Sequence, residues 1–129
     1  MRFSSLMLAG ALVMVATAAS AEDPMATTYG NTVVTKNAKT NAVGQLLFNA
    51  DGSYMAKGTD ANGQAVTYPG KWEVKDNGAT LCLTPQLPPN TPNPPPTSCS
   101  PLSIHPVGEH WTVTNSMGDS FDVVVNTGR

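Results

Sequence analysis

The chain has few of the residues on which most enzymes and most helical proteins depend. It contains two histidines and two cysteines, only 12% of its residues are charged, and 6% are aromatic. It has no Ser-His-Asp order, phosphate-binding loop or GxSxG sequence. Beyond the apolar run at the N-terminus, no stretch of helix length has helical periodicity. We therefore expect a non-enzymatic protein with no cofactor and a domain built from strands.

Charge of either sign is also sparse and scattered. Without Arg2, which lies in the N-terminal apolar region, the chain has six basic and nine acidic residues. It has no basic patch that could meet phosphates, so nucleic acid is not an expected partner. It also has no basic amphipathic helix that could lie on a membrane.

The first residues have the pattern of a secretory signal. Arg2 precedes an apolar run from Leu6 to Ala19, and small residues follow at Ala19-Ser20-Ala21. The apolar run is too short for a comfortable membrane span, so residues 1–21 are predicted to be a cleaved signal peptide with no membrane insertion afterwards. Residues 22–29 are predicted to be a flexible lead-in and residues 30–129 a single β domain. The expected location is periplasmic or secreted.

Short alternating segments separated by turn residues recur along the rest of the chain. Asp51-Gly52 between two such segments is a strong hairpin signal. The rhythm predicts an all-β fold, namely a small antiparallel up-and-down barrel or meander of about eight strands. A two-sheet sandwich is the alternative. The segments are residues 32–35, 43–49, 53–58, 64–68, 71–75, 80–84, 102–105, 109–115 and 119–126.

The clearest hairpin lies between Gly70 and Pro85. Trp72 and Val74 alternate with charged residues, Leu81 and Leu83 alternate with polar residues, and Asp76-Asn77-Gly78 supplies residues that tolerate positive φ. Cys82 falls on the side opposite the two leucines. In an exported chain, Cys82 and Cys99 are expected to form a disulfide that folds the intervening loop back across the outer face or the rim of the barrel.

The alternation also predicts which side chains face inward. This predicted inner layer consists of Leu46, Phe48, Tyr54, Trp72, Val74, Leu81, Leu83, Trp111, Val113, Phe121, Val123 and Val125.

Several sequence features resemble known groups of proteins. The segment FNADGSY from Phe48 to Tyr54, then GKW, LCLTP, a proline-rich loop, SCSP and GEHWTV, resembles short uncharacterised secreted proteins of Gram-negative bacteria. The order G-x-W, Cys, Cys, Trp from Gly70 to Trp111 is similar to the bacterial metalloprotease-inhibitor family. The second resemblance implies a small periplasmic β-barrel with one disulfide, although here several strands precede Trp72.

The loop from Pro85 to Ser98 is the first candidate functional feature. Its seven prolines favour a stiff, extended polyproline II conformation with backbone carbonyls free for a partner. Stiffness lowers the entropic cost of binding. The alternative is a passive connection. The candidate contact residues are Leu87, Pro88, Pro89, Pro94, Pro95 and Pro96.

The two histidines are the second candidate feature. His105 and His110 could approach each other, with Glu109, Asp119 or Asp122 completing a metal site. A variant uses the sulfur of Met55 or Met117 to hold Cu(I). The alternative is that both histidines are ordinary surface or rim residues, because their spacing matches no known ligand motif.

The sequence therefore favours an exported binding or protein-interaction module that uses the proline-rich loop or the barrel mouth. Its partner would be an exported protein or a small ligand. An inhibitor of an exported protease is the second hypothesis and a periplasmic copper binder the third. An interior pocket would favour a ligand-binding barrel, whereas an interior filled by Trp72, Trp111 and Phe121 would favour protein contact through loops.

Overall fold

The computed structural model describes residues 23–60 and 62–129, so the predicted signal peptide at residues 1–21 lies outside the described residues. Within the described ranges, no helix is long and apolar enough to cross a membrane. The domain consists of eight strands: β1 (Thr32–Asn37), β2 (Val43–Phe48), β3 (Ser53–Thr59), β4 (Ala65–Lys75), β5 (Thr80–Pro85), β6 (Ser98–Pro101), β7 (His110–Thr114) and β8 (Ser120–Asn126).

All eight strands belong to one antiparallel sheet with the order β6-β5-β4-β3-β2-β1-β8-β7. Neighbours in sequence are neighbours in the sheet from β1 to β6, and β8 returns to pair with β1. The sheet therefore curls into a nearly closed up-and-down barrel, with β6 and β7 as its two edges. This confirms the predicted all-β barrel over the sandwich alternative. Near closure leaves little free edge, which limits edge-to-edge aggregation.

The up-and-down topology gives the barrel two ends that carry different parts of the chain. One end, here called the loop end, carries residues 38–42, the proline-rich connection 86–97 and the turn 115–119. The opposite end, here called the N-terminal end, carries residues 23–31, the turns 49–52 and 76–79, and the connection 102–109.

The core has the inner layer that the alternation predicts. All twelve predicted residues belong to the core cluster or pack against it, and Phe48, Tyr54, Val123 and Val125 are buried. Trp72 packs edge-on against Phe48, with the ring centroids 6.4 Å apart. The indole Nε1–H of Trp72 donates to the carbonyl of Asn49 at 2.9 Å, so its polar atom is satisfied while the ring packs inward.

The turn residues have the backbone conformations that the sequence predicts. Asp76 and Asn77 both have φ of 56°, and Gly78 has φ of 93°. Gly52 in the Asp-Gly hairpin has φ of 92°. Positive φ costs little at glycine and is tolerated by Asn and Asp, which is why these residues specify the two hairpins.

The predicted break at Pro69-Gly70 is wrong, because residues 64–68 and 71–75 belong to one continuous strand, β4. The Pro69 carbonyl accepts a hydrogen bond from the Gln86 N–H at 2.9 Å. In an antiparallel sheet, the N–H and the carbonyl of one residue point to the same neighbouring strand, so the N–H that Pro69 lacks would also have faced Gln86. Because Gln86 follows the last residue of β5, the proline removes only a hydrogen bond at the end of that pairing.

The predicted strand at residues 102–105 is also wrong, since the strand in this region is β6 at Ser98–Pro101. Pairing with β5 starts at Ser98, the last residue of the predicted proline-rich loop. Cys82 lies opposite Cys99, and Leu81 and Leu83 lie opposite Ser100 and Ser98. Pairing with β5 therefore determines where β6 forms. The four residues of β6, SCSP, are too few to show the alternation of apolar and polar side chains from which a strand could be predicted.

The predicted Cys82–Cys99 disulfide is present, with the two Cα atoms 4.0 Å apart. The bond joins residues that face each other directly in β5 and β6. The enclosed loop is therefore a long hairpin connection at the loop end, and not a segment folded across the outer face. Closing a loop of this size stabilises a domain by about 3 kcal/mol in the chain-entropy model, whose mechanism is disputed.

The segment before β1 differs from the flexible lead-in predicted at residues 22–29. Residues 24–30 form successive turns, and the Met25 side chain is 0% exposed. The Asp23 carboxylate accepts hydrogen bonds from the Met25 N–H at 2.9 Å and from the Tyr29 hydroxyl at 3.1 Å. Met25 belongs to the core cluster, so this segment covers the N-terminal end of the barrel.

Candidate functional site

The barrel interior contains a partly enclosed cavity of about 190 Å³. Met25 and Phe48 contribute to its lining from the core, and the apolar residues of the surrounding strands are Leu81, Leu83, Trp111, Val113, Phe121 and Val123. The side chains of the predicted inner layer therefore do point into the barrel, but they do not fill it. An apolar cavity of about 150 Å³ is large enough to hold benzene.

The cavity lies beside the gap where the barrel is not closed. β6 and β7 are joined at the loop end, where the Ser116 N–H donates to the Cys99 carbonyl at 2.7 Å and the Cys99 N–H donates to the Ser116 hydroxyl at 3.0 Å. No strand pairing joins β6 and β7 elsewhere within the described residues. Both strands contribute lining residues, and a shallow outer depression lies along the same seam.

The lining from β6 is polar, in contrast to the lining from β5. Ser98 and Ser100 lie directly opposite the inward-facing Leu83 and Leu81, so their side chains lie on the inner side of the sheet. Both serines line the cavity. The cavity therefore has mainly apolar walls, with the hydroxyl groups of Ser98 and Ser100 on the strand next to the seam. Its other polar lining residues outside the 102–109 connection are Thr27, Thr28, Thr35 and Asn115.

A second polar group lies on the connection between β6 and β7. Ser103 Oγ lies 2.7 Å from His105 Nε2, and Glu109 Oε1 lies 2.6 Å from His105 Nδ1. The imidazole stacks on the indole of Trp111, with centroids 3.9 Å apart and planes 6° apart. Three contacts thus position the ring, and both Ser103 and His105 line the cavity.

The order hydroxyl, imidazole, carboxylate is the one that activates a serine nucleophile in hydrolases. Here it can pass a proton between Ser103 and His105 while Glu109 orients the ring. Acyl transfer also needs hydrogen-bond donors aimed at the developing oxyanion. The arrangement equally stabilises the 102–109 connection.

The structure brings the predicted metal-site candidates together only in pairs, namely His105 with Glu109 and His110 with Asp122. His105 lines the cavity, whereas His110 lies on the outer side of β7, where its Nδ1 is 2.8 Å from Asp122 Oδ2. Met117 lies in the turn at the loop end and is 52% exposed. Within residues 23–60 and 62–129, no three His, Cys, Asp or Glu side chains cluster in a way that could hold a metal ion. His105, His110 and Met117 therefore do not form one site.

The proline-rich loop lies outside the cavity. Most residues between Gln86 and Thr97 are exposed, while Leu87 is partly buried. The loop has a turn closed by the Thr91 N–H donating to the Pro88 carbonyl at 3.0 Å, and a hydroxyl contact between Thr84 and Thr97 at 2.8 Å at its base. Pro88, Pro89, Pro94, Pro95 and Pro96 are all exposed, as an interaction surface requires.

The barrel interior is a poor environment for charge. Burial raises the pKa of the Tyr54 hydroxyl to about 12, with a smaller contribution from Tyr68. Burial also raises the pKa of Tyr68. Both shifts disfavour the phenolate because the surrounding residues solvate charge weakly.

Searches of protein families, curated proteins and solved structures find no match to this chain. Functional inference therefore depends on the site itself.

Proposed function

We propose that this protein is a non-enzymatic exported binding module that takes a small apolar ligand into the barrel cavity. The observation that carries this proposal is the 190 Å³ cavity beside the open seam. A cavity with predominantly apolar walls and a few polar groups is the usual form of a small-molecule site. The volume suits a molecule close in size to benzene or toluene.

The structure of the seam supports access to this cavity. Closing the barrel fully would need hydrogen bonds along the facing edges of β6 and β7, and the proline at Pro101 removes one donor from that edge. Because β6 has only four residues, opening it from β7 disturbs little of the sheet. A ligand can therefore enter from the side without unfolding the other seven strands.

Toluene is the probe that tests this proposal. We expect it to bind with a Kd of roughly 0.1 to 1 mM, as suits seven non-hydrogen atoms in a partly open apolar site. The amide resonances of Val113, Phe121 and Val123 should shift in a saturable way during an NMR titration. Unchanged resonances up to the solubility limits of both toluene and its hydroxylated analogue benzyl alcohol would overturn the proposal.

Three variants identify the place of binding. Val113→Trp should fill the cavity and abolish the shifts. If the tryptophan variant does not fold, Val113→Phe is used instead, and it should weaken the shifts because phenylalanine fills less of the cavity. Thr112→Trp is the matched control, because Thr112 neighbours Val113 but is exposed on the outer face. Replacing Leu87–Pro96 by Gly and Ser should leave toluene binding unchanged, since no residue of that stretch lines the cavity.

Acyl hydrolysis is a second candidate, favoured by the contacts from Ser103 through His105 to Glu109. A fluorophosphonate probe tests it, because an activated serine displaces the fluoride and keeps the phosphonyl group. The non-enzymatic proposal predicts no adduct at Ser103. An adduct that His105→Gln abolishes and His110→Gln preserves would replace the binding proposal by a hydrolase.

The proline-rich loop is proposed as a separate contact surface for an exported protein partner. Inhibition of an exported protease is the alternative function, which the metalloprotease-inhibitor resemblance implies. Export itself is supported by the disulfide, because such bonds persist mainly in oxidising compartments. The Gly and Ser replacement of Leu87–Pro96 separates the two roles: a partner that depends on the loop is lost while toluene binding remains.

A further inference from the structure

We infer that the ligand of the cavity is an uncharged molecule that carries a hydroxyl or carbonyl group on a small apolar body. This inference rests on the proposed ligand-binding function and specifies the chemistry of the ligand. It depends on two properties of the lining, namely the inward-facing hydroxyl groups of β6 and the pairing of the nearest charged groups.

The first property is the pair of serines on β6. Ser98 and Ser100 line the cavity, and within residues 23–60 and 62–129 neither hydroxyl makes a side-chain hydrogen bond. In the ligand-free barrel, water entering through the seam can satisfy them. A hydrocarbon that displaced this water would leave both hydroxyl groups unpaired, which is costly in an apolar site. A ligand hydroxyl or carbonyl would replace the lost hydrogen bond.

The second property is the absence of an unpaired charge in the described lining. No Lys, Arg, Asp or Glu of the described residues lines the cavity, and His105 is the only ionisable side chain that does. Its Nδ1 already faces Glu109 at 2.6 Å and its Nε2 faces Ser103 at 2.7 Å. A carboxylate or ammonium group in the cavity would lose its hydration without gaining a counter-charge, so the site disfavours charged ligands.

The polar group of the ligand is expected to lie toward the seam. β6 is an edge strand, and its serines are adjacent to the gap through which the cavity is reached. The walls farther from the seam, which include Val33, Leu46 and Phe48 of β1 and β2, are mainly apolar. The bound molecule would thus point its apolar part into the barrel and its hydroxyl or carbonyl toward β6.

Toluene, benzyl alcohol and benzoate are a matched series for the test, because they share a ring and differ in one substituent. In the parent protein we expect benzyl alcohol and toluene to bind and benzoate to show no saturable shift. In Ser98→Ala/Ser100→Ala, benzyl alcohol should bind about tenfold more weakly, the equivalent of one hydrogen bond, while toluene binding stays the same or tightens. Ser120→Ala is the control, because Ser120 contacts Thr114 and does not line the cavity.

The outcomes separate this inference from the proposed function. Failure of both toluene and benzyl alcohol to bind the parent would overturn the proposed function. Two outcomes would overturn the inference while leaving the proposed function intact. In the first, toluene binds the parent, and the serine double variant loses the same affinity for toluene as for benzyl alcohol. In the second, benzoate binds the parent as tightly as benzyl alcohol does. If the double variant does not fold, Ser100→Ala and Ser98→Ala are measured singly, and an unchanged benzyl alcohol affinity in both would overturn the inference.

Discussion

Met25→Ala is expected to lower the free energy of unfolding by about 2–5 kcal/mol, the usual cost of truncating a fully buried long side chain. Met25 is 0% exposed and lies in the core cluster although it precedes the first strand. Its removal would enlarge the existing cavity at the N-terminal end and leave Phe48 and Val125 with fewer contacts. Urea denaturation followed by tryptophan fluorescence measures the change.

Met117→Ala provides the control for this experiment. It is the same substitution in an exposed turn, and surface changes of this kind alter stability by less than about 0.5 kcal/mol. If Met25→Ala were as stable as Met117→Ala, the segment before β1 would be the flexible lead-in predicted at residues 22–29, and it would not cover the end of the barrel.

Gly70→Ala is the second substitution with a large expected effect. A Cβ atom at Gly70 would lie 2.2 Å from the Tyr54 ring, which covers this point of β4. Tyr54 is itself 3% exposed and has little room to move. We expect a loss of about 3 kcal/mol or more, since overpacking in a close-packed core forces side chains out of their preferred conformations.

Gly58→Ala is the matched control for Gly70→Ala. Gly58 lies in the neighbouring strand β3, and the nearest atoms to its Cβ position are 3.8 Å away, an ordinary contact distance. This variant should be neutral or slightly more stable, because alanine restricts the unfolded chain. The double variant Gly70→Ala/Tyr54→Leu should lose less stability than the sum of the single changes. Equal stability of the two alanine variants would contradict the described packing.

The sequence predicts features that depend on local chemistry. Alternation assigns all twelve inner-layer residues correctly because successive side chains of a strand point to opposite faces of the sheet. Asp76-Asn77-Gly78 and Asp51-Gly52 identify their turns because few other residues accept positive φ. The even cysteine count leads to the observed disulfide.

Features that depend on long-range register could not be found in the same way. The buried position of Met25 has no periodic signal, because Met25, Ala26 and Tyr29 are too few apolar residues in this segment to define a period. The separation of His105 from His110 follows from the strand and connection on which each lies. The cavity exists because the strands enclose more space than the inward side chains occupy. Alternation shows which side chains point inward but not how much space the strands enclose. The inward position of Ser98 and Ser100 could have been predicted from the sequence. If Cys82 and Cys99 pair directly across two strands, the serines on either side of Cys99 lie opposite Leu83 and Leu81 on the inner face.

The most direct measurement of the central claim is a crystal structure of the parent protein under xenon pressure. Xenon binds against apolar walls in cavities of this size and has strong anomalous scattering. The account predicts a xenon site inside the barrel among Met25, Val113 and Phe121, and no such site in Val113→Trp. Crystals of the parent with no xenon in the interior would contradict the claim that the barrel contains an accessible ligand cavity.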